Sequence, residues 1–539
     1  MSEQPWWQKA VIYQIYPRSF QDSNADGVGD LNGILDRVDY LSWLGVDAVW
    51  ISPIYPSPMA DFGYDVANYI DIDPVFGTRE DFDRLVKALH ERSIRVILDF
   101  VPNHTSNMHP WFQEARTSRD SSRRDWYLWR DPGPDGAPPN NWLSVASGDS
   151  AWEFDRATGQ YYHHAFLVEQ PDLNWRNPDV RTAMYDVLRF WLDRGVDGFR
   201  VDTIWRLIKD AAFRDNPVNP NYREGDAPFR RLLPLYSADQ PEVHEIAAEM
   251  RHVLAEYPGH RLLIGEIYLP VQRLVAYYGL NLTGVHLPFN FNLMFVEWKP
   301  DAVMRLIQEY EAVLPVGAWP NWVLGNHDQP RVATRLGPAQ ARVAMVLLMT
   351  LRGTPTLYYG DELGLKNVPI PPERARDPFG LKMPGTGQDR DAERTPMPWD
   401  GSPNAGFTAG EPWLPLGQDR SIMNVEAQKR ETGSMLSLTR ALLKLRGQEP
   451  SISLGDWAPL AVEGDVLAYV RSRDGQRFAV FLNLGSMPRA VRFGEDLGGR
   501  IVLSTHPGRI GSAIHDRADL GANEAVIVRL GRAAGAIVE

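Results

Sequence analysis

Short apolar runs alternate with helix-type patterns along the first two thirds of the chain. The runs are rich in Val, Ile, Leu and Tyr, and the segments between them repeat apolar residues at helical spacing. One such segment, TREDFDRLVKALHERS (78–93), predicts an amphipathic helix with Thr78 at its N-cap. The eight strand candidates are VIYQIYP (11–17), VDAVWISP (46–53), IRVILDFVP (94–102), GFRVD (198–202), RLLIGEIY (261–268), GVHLPFNF (284–291), NWVLGNHD (321–328) and TPTLYYGDE (354–362).

Near-continuous apolar strands between helices predict a parallel sheet that is buried on both faces. Eight strand–helix units favour an α/β fold of the (β/α)8 barrel type. A doubly wound sheet is the structural alternative, but no G-x-G-x-x-G pattern follows the first strand. We therefore expect a (β/α)8 TIM barrel at the centre of the protein.

Three stretches interrupt the alternation and predict additions to the barrel. Residues 104–174 are rich in Trp, Asn, Pro and Gly and predict an inserted subdomain after the third strand. Residues 366–430 are rich in Pro and Arg and predict a smaller insertion after the eighth strand. Short β-type runs in 450–539 predict a C-terminal antiparallel, sandwich-like domain. The barrel itself is then expected from residues 1–103, 175–365 and 431–449.

The composition excludes several classes of function. The formal net charge of −13 disfavours nucleic acid and anionic membranes as partners. The chain has no cysteine, which excludes disulfides and thiolate metal sites. We find no N-terminal signal segment and no apolar run of about 18 residues that would span a bilayer. The expectation is a cytoplasmic enzyme, monomeric or homodimeric.

Charged residues close several of the predicted strands. Asp99, Arg200, Asp202, Glu266 and the His327–Asp328 pair all stand at strand ends, which in a barrel meet at one mouth. Without a phosphate loop or an HExxH zinc pattern, one candidate chemistry is glycoside hydrolysis by paired carboxylates. Arg200 is placed to keep Asp202 ionised, and Glu266 fits a protonated acid. The spacing alone does not assign the roles of the three acids.

The motifs at these positions resemble those of a known family. DFVPNH (99–104), GFRVD (198–202), IGEIY (264–268) and NHD (326–328) resemble, in order, the four signature regions of the α-amylase family, glycoside hydrolase family 13. Three further segments resemble the auxiliary regions of that family, namely QPDLNW (170–175), GVDAVWISPIYPSP (45–58) and GTPTLYYGDELG (353–364). QPDLN and RTPMPWD are similar to the α-glucosidase and oligo-1,6-glucosidase branch.

The resemblance implies a role for each site residue. Asp202 is expected as the nucleophile, Glu266 as the acid/base and Asp328 as the transition-state stabiliser. The residues expected around the bound sugar are His104, Arg200 and His327 as hydrogen-bonding groups, Tyr64 as the stacking platform, Asp61 and Arg394 as the pair that closes the pocket, and Phe166 on the acceptor side. A closed pocket implies an exo-acting, retaining enzyme that forms a covalent β-glucosyl intermediate.

The residues after the nucleophile bear on specificity. In the branch that this chain resembles, Thr after the nucleophile accompanies α-1,4 cleavage, so Thr203 predicts a preference for maltose-type substrates. The long segment 203–244 is expected to wall the mouth and restrict the site to small α-glucosides. Space near Ala146 is expected to favour glucosyl transfer to alcohol or sugar acceptors. An oligo-1,6-glucosidase and a sucrose-acting isomerase of the same family are the alternatives.

The segment DSNADGVGDLNG (22–33) carries a metal-loop pattern. Oxygen ligands are expected from the side chains of Asp22, Asn24, Asp26 and Asp30 and from the Val28 carbonyl. Gly33 stands where an EF-hand needs a bidentate Glu, so a calcium sensor is excluded. The resemblance implies one structural Ca²⁺ or Mg²⁺ ion with no part in the chemistry.

Overall fold

The structure is a computed structural model that describes residues 4–460, 464–493 and 498–531. Parts of two predicted domains therefore lie outside the described residues, namely 1–3 of the barrel and 461–463, 494–497 and 532–539 of the C-terminal domain. Within the described part, no helix is both long enough and apolar enough to cross a membrane.

Eight parallel strands form a nearly closed barrel, which confirms the predicted fold and excludes the doubly wound alternative. In chain order the strands of the first part of the chain are β1 (Ile12–Ile15), β2 (Ala48–Ile51), β3 (Arg95–Phe100), β4 (Trp129–Arg130), β5 (Trp152–Asp155), β6 (Gln160–His163), β7 (Gly198–Val201), β8 (Leu262–Gly265), β9 (Leu287–Pro288), β10 (Asn321–Val323) and β11 (Thr354–Tyr358). The barrel sheet has the order β10-β11-β1-β2-β3-β7-β8-β9.

Helices follow the barrel strands and cover the outside of the sheet. Thr78 caps α4 as predicted, because its Oγ1 accepts from Asp81 N at 3.2 Å and Asp81 Oδ2 accepts from Thr78 N at 2.8 Å. The α-helices are α1 (Pro17–Phe20), α2 (Leu31–Asp36), α3 (Val38–Leu44), α4 (Arg79–Glu91), α5 (Pro110–Ala115), α6 (Pro178–Asp193), α7 (Val243–Ala255), α8 (Val271–Leu274), α9 (Asn292–Phe295), α10 (Pro300–Val313), α11 (Val332–Leu336), α12 (Pro338–Thr350), α13 (Pro378–Lys382), α14 (Val425–Arg430), α15 (Met435–Gln448) and α16 (Pro450–Ser453).

Alternate residues of the barrel strands pack on opposite sides of the sheet. Ile12, Trp50 and Ile97 belong to a cluster inside the barrel with Leu262 and Val323. Their strand neighbours belong to the larger cluster that the helices share. This division follows the two-residue period of a strand, and it explains why the barrel strands are apolar throughout.

The additions to the barrel contain their own short elements. Strands β4, β5 and β6 form a three-stranded antiparallel sheet within residues 104–174. Residues 366–430 are mostly irregular and include α13 and α14. In the C-terminal region, α16 precedes the first strand, and the strands are β12 (Asp456–Pro459), β13 (Val466–Arg473), β14 (Gln476–Asn483), β15 (Arg489–Arg492), β16 (Gly499–Ser504), β17 (Ala513–Ile514), β18 (Arg517–Leu520) and β19 (Ala525–Leu530). They form a six-stranded and a two-stranded sheet.

Candidate active site

A cavity of about 430 Å³ opens at the carboxyl ends of the barrel strands. The three predicted catalytic acids, Asp202, Glu266 and Asp328, all line this cavity. Asp202 follows β7, Glu266 follows β8 and Asp328 lies beyond β10, so three different strands deliver the carboxylates to one place. The barrel mouth is the position at which side chains of separate strands converge.

Arg200 links the acids at the base of the cavity. Its fully buried guanidinium donates from Nη1 to Asp99 Oδ1 at 2.8 Å and to Asp202 Oδ1 at 2.7 Å. Its Nη2 lies 2.8 Å from Glu266 Oε1. Asp99 stands opposite Arg200 in the β3–β7 register, which is why the two side chains meet. Burial raises the pKa of Asp99 to about 7, against the opposing charge of Arg200.

Glu266 has the electrostatic setting of a protonated acid. Burial raises the pKa of Glu266 well above its usual range. The positive charge of Arg200 lowers this pKa, whereas the negative charges of Asp202 and Asp328 raise it further. Glu266 Oε2 accepts from Thr203 N at 2.8 Å. At neutral pH this setting favours the neutral carboxyl, which is the form that can donate a proton.

Thr203 joins two of the catalytic acids. Its main-chain N–H contacts Glu266, and its Oγ1 donates to Asp202 Oδ2 at 3.2 Å. The residue has a φ of +39°, in the left-handed region that β-branched residues rarely adopt. The surrounding contacts hold this backbone conformation at the centre of the site.

Asp328 is held ionised by the groups around it. Burial on its own favours the neutral form, but His327, Arg390, Arg394 and Arg200 together lower the pKa of Asp328 below its usual range. Arg394 Nη2 donates to Asp328 Oδ1 at 2.9 Å, and Arg390 Nη1 donates to the same oxygen at 3.3 Å. An ionised carboxylate here supplies negative charge opposite the other two acids.

Tyr64, His104 and His327, the residues predicted to surround the sugar, lie together on the cavity wall. Tyr64 Oη donates to Asp99 Oδ2 at 3.0 Å and lies 2.7 Å from His327 Nε2. The Tyr64 and His327 rings are parallel, with centroids 5.3 Å apart. His104 Nε2 lies 2.9 Å from the Tyr64 carbonyl oxygen. These contacts fix an aromatic face next to the carboxylates, which suits the apolar face of a sugar ring.

Asp61 and Arg390 both line the cavity and form an ion pair, which corrects the predicted partner of Asp61. Arg390 Nη2 donates to Asp61 Oδ1 at 2.7 Å. Arg394 is fully buried, does not line the cavity, and donates to the His327 carbonyl at 2.7 Å as well as to Asp328. Both arginines come from the second insertion, four residues apart, and only the tertiary structure decides which of them reaches Asp61.

Phe166 and the segment after the nucleophile form a further part of the cavity wall. Phe166 lines the cavity and packs edge-on against His104, with ring centroids 5.4 Å apart. The long segment contributes much of the mouth, in agreement with the sequence prediction. Ala146 is buried and does not line the cavity, so the space expected there does not open into the site. Leu143 and Val145 form the wall at that point.

Comparison with known proteins places this architecture in a family. Residues 14–455 match the family model described as alpha amylase, catalytic domain. The chain belongs to the α-amylase family. It is therefore a glycoside hydrolase, which agrees with the carboxylate geometry.

Several similar proteins are named as glucosidases or as an α-glucosyl transfer enzyme. A probable alpha-glucosidase of Rhizobium meliloti (strain 1021) is 41% identical over 498 residues, covering 89% of this chain and 90% of that protein. An oligo-1,6-glucosidase of Heyndrickxia coagulans is 39% identical over 522 residues, covering 89% and 92%. The crystal structure of the alpha-glucosyl transfer enzyme XgtA has a TM-score of 0.92 and 41% identity, covering 98% of this chain and 100% of that chain.

The α-amylase-family site also contains residues that the sequence reasoning missed. Gln170, inside the quoted QPDLNW motif, donates to Asp61 Oδ2 at 3.3 Å and lies 3.1 Å from His104 Nε2. Asp377 is buried and accepts from Arg390 Nε at 3.0 Å and from Arg390 N at 2.9 Å. Gln170 could have been predicted as a site residue because it lies in the QPDLNW motif. No local pattern distinguishes Asp377 from the other acids of the second insertion.

A buried polar network supports His104 from behind. Lys209 Nζ lies 2.5 Å from Asp172 Oδ2 and donates to Asn103 Oδ1 at 2.8 Å. His163 Nδ1 lies 2.9 Å from Asp172, and Asn103 Nδ2 lies 3.1 Å from His104 Nδ1. The network joins the inserted subdomain, the barrel and the segment after the nucleophile. Lys209 is buried, so its ammonium group depends on these partners for charge compensation.

The proposed metal loop folds around its own side chains. Asp22 Oδ1 accepts from the Asn24 and Ala25 amides at 2.9 and 2.8 Å, and Oδ2 accepts from the Gly27 amide at 2.8 Å and from Thr408. Four donors fill the acceptor capacity of this carboxylate in the present geometry. Among the described residues, no group of three or more acidic or histidine side chains converges as a metal site. Asp26, Asn24, Asp30 and the Val28 carbonyl retain the oxygen chemistry that Ca²⁺ prefers. The ion therefore remains a prediction.

Proposed function

We propose that this α-amylase-family enzyme is a retaining, exo-acting α-glucosidase. It removes terminal α-1,4-linked glucose from maltose and small α-glucosides. The observation that carries the proposal is the Asp61–Arg390 ion pair in the wall of the cavity that holds the three carboxylates. In the proposal this ion pair closes the end of the pocket. A pocket with a closed end accepts the non-reducing end of a substrate and excludes an internal segment of a polysaccharide.

The first step is the formation of a glucosyl-enzyme. An Asp202 oxygen attacks C1 of the bound glucose while Glu266 gives its proton to the departing glycosidic oxygen, and the C1–oxygen bond breaks. The two carboxylates lie on neighbouring nitrogens of the single Arg200 guanidinium. This arrangement supports the short separation, about 5–5.5 Å, that is typical of retaining enzymes.

The second step releases the sugar. Glu266, now ionised, takes a proton from water or from an acceptor hydroxyl, whose oxygen attacks C1 and breaks the bond to Asp202. The ionised Asp328 offsets the positive charge that develops at the sugar in both transition states. Tyr64, His104 and His327 are proposed to bind the glucose, and Phe166 and Thr203 are proposed to contact the departing or accepting group.

Glucosyl transfer to alcohol or sugar acceptors is part of the proposal. It is supported by the apolar residues Phe166, Phe229 and Leu233 at the mouth, which favour an organic acceptor over water. The similarity to XgtA, described as an alpha-glucosyl transfer enzyme, supports it as well. A cytoplasmic location is proposed because a chain without cysteine needs no oxidising compartment.

The experiment is proton NMR of fresh enzyme with maltose. Early accumulation of α-glucose from the non-reducing residue is the expected result, and new glucosidic signals report transfer. The Asp202→Asn variant is the inactive control. Early β-glucose would overturn the retaining mechanism, and cleavage of isomaltose or rearrangement of sucrose in preference to maltose would favour the oligo-1,6-glucosidase or isomerase alternatives.

A further inference from the structure

Among the described residues, two arginines of the cavity wall, Arg206 and Arg230, have no anionic partner, and Arg206 is the more buried of the two. Arg206 ends a short 3-10 turn, Ile204–Arg206, that follows the nucleophile strand, and its side chain lines the cavity. Arg206 is only 9% exposed. Among the described residues, no carboxylate or carbonyl accepts a hydrogen bond from its guanidinium. By contrast, Arg200 and Arg390 each bind two or more carboxylates.

Aromatic rings support the Arg206 guanidinium without neutralising it. Its Cζ lies 4.4 Å from the Trp205 ring centroid and 5.7 Å from that of Phe166. Contacts of this kind use the flat face of a guanidinium and leave its in-plane N–H groups free to donate. No guanidinium nitrogen of Arg206 is among the enclosed, unpaired polar atoms of the described residues, so these N–H groups are reachable from the cavity. A ligand that supplies a negative group there would find free charged donors.

The position of Arg206 is on the leaving-group side of the site. Arg206 N donates to the Thr203 carbonyl at 2.8 Å, and Thr203 N holds the acid/base Glu266. Burial lowers the pKa of Arg206 to about 10, while the charges of Asp172 and Glu266 oppose the shift. The guanidinium is therefore charged at neutral pH. The closed end at Asp61 binds the glucose, so Arg206 faces the other part of the substrate.

The segment that follows the nucleophile adds positive charge and no negative charge to the cavity wall. Within the described residues, the segment 203–237 contributes two arginines, Arg206 and Arg230, to the cavity and no carboxylate. Asn216, Asn219 and Ser237 add neutral hydrogen-bonding groups. In a protein with a net charge of −13, this is a local concentration of positive charge at the acceptor side.

We propose that Arg206 binds a carboxylate on the aglycone or acceptor. On this reading, which rests on the proposed α-glucosidase function, the enzyme acts on α-glucosides of hydroxy acids and transfers glucose to hydroxy acids. The planar guanidinium matches a carboxylate with two parallel N–H···O hydrogen bonds.

The experiment compares two substrates of nearly equal shape, 4-carboxyphenyl and 4-carbamoylphenyl α-D-glucoside. The ratio of their kcat/KM values is measured for the wild type and for Arg206→Gln, Arg206→Lys and Arg156→Gln. Arg156 is exposed in the inserted subdomain and serves as the matched control. Comparison of the ratios between variants cancels the difference in leaving-group reactivity between the two phenols.

The expected result is a fall of about tenfold or more in the acid-to-amide ratio for Arg206→Gln, with a smaller fall for Arg206→Lys and none for Arg156→Gln. Added salt should lower the wild-type ratio. The affinities of both glucosides are also measured by calorimetry with the Asp202→Asn variant, with and without Arg206→Gln. This comparison needs no turnover, so it can be made even if Arg206→Gln inactivates the enzyme.

Two results overturn the inference in distinguishable ways. A ratio that is the same in wild type and Arg206→Gln, with maltose still cleaved, removes the carboxylate site and leaves the α-glucosidase function in place. A correctly folded protein that cleaves no maltose and binds neither glucoside removes the proposed function, and with it the basis of this inference.

Discussion

The Arg390 guanidinium donates to Asp61 at 2.7 Å and thereby joins two segments that lie 329 residues apart. Asp61 belongs to the loop after β2, and Arg390 belongs to the second insertion. The same guanidinium also donates to the carboxylate of the buried Asp377. That carboxylate accepts a further hydrogen bond from the main-chain N–H of Arg390. This part of the cavity wall therefore depends on an insertion outside the barrel.

The first prediction concerns this pair. Arg390→Lys keeps the charge but loses the planar fork that bridges Asp61 and Asp377. We expect kcat/KM for maltose to fall by about 10- to 100-fold, mainly through KM, because a charged hydrogen bond contributes about 1.5–3 kcal/mol. The control is Arg374→Lys, whose partner Glu411 is largely exposed, and it should change little. Equal kinetics for both variants would contradict the role of Arg390.

The second prediction concerns the pH dependence. Burial raises the pKa of Glu266, so the proton that it donates is retained to higher pH than in an exposed Glu and is lost as the pH rises through the raised value. The alkaline limb of kcat/KM should follow this loss. Glu266→Gln should lower maltose hydrolysis by about 100-fold or more and should remove that limb with p-nitrophenyl α-glucoside, which needs little acid assistance.

Azide distinguishes the roles of the two acids. With Glu266→Gln, azide should restore turnover and yield α-glucosyl azide, because it attacks the glucosyl-enzyme and displaces Asp202 with a second inversion. The surface variant Glu297→Gln should behave like the wild type. Formation of β-glucosyl azide by Glu266→Gln would mean that no covalent intermediate forms through Asp202.

The third prediction concerns linkage preference. Thr203→Val removes the hydrogen bond from Oγ1 to Asp202 and places a methyl group at the wall of the cavity. We expect the ratio of kcat/KM for maltose to that for isomaltose to fall by about tenfold, within the 1–3 kcal/mol that one side-chain group contributes to discrimination. Thr182→Val, on the surface of α6, is the control. An unchanged ratio removes Thr203 from the specificity argument.

The fourth prediction concerns the loop 22–30. After chelation and dialysis, added Ca²⁺ or Mg²⁺ should raise the Tm, since an ion at about 100 times its Kd stabilises the folded state by about 2.7 kcal/mol. Asp26→Asn should abolish the rise, because Asp26 is exposed and its carboxylate accepts only from Val28 N. Asp36→Asn, exposed on the next helix, should retain it. No rise in the wild type would show that the loop needs no ion.

Local sequence determined the barrel and the three acids. The apolar runs predicted all eight barrel strands because a parallel sheet buried on both faces needs apolar residues on both sides. Asp202 and Glu266 stand directly after such runs, so their place at the barrel mouth follows from the strand direction. Thr78 was predicted as a helix cap from a local hydrogen-bonding pattern.

Only the tertiary structure decided the contacts between distant segments. It assigned Arg390 instead of Arg394 to Asp61, buried Ala146 away from the cavity, and left Arg206 without an anionic partner. The reason is physical. Helix caps and strand patterns depend on neighbours within a few residues, whereas ion pairs in a cavity depend on how insertions that are far apart in the chain fold over the barrel. Loop sequences of this kind carry no periodicity from which that packing can be predicted.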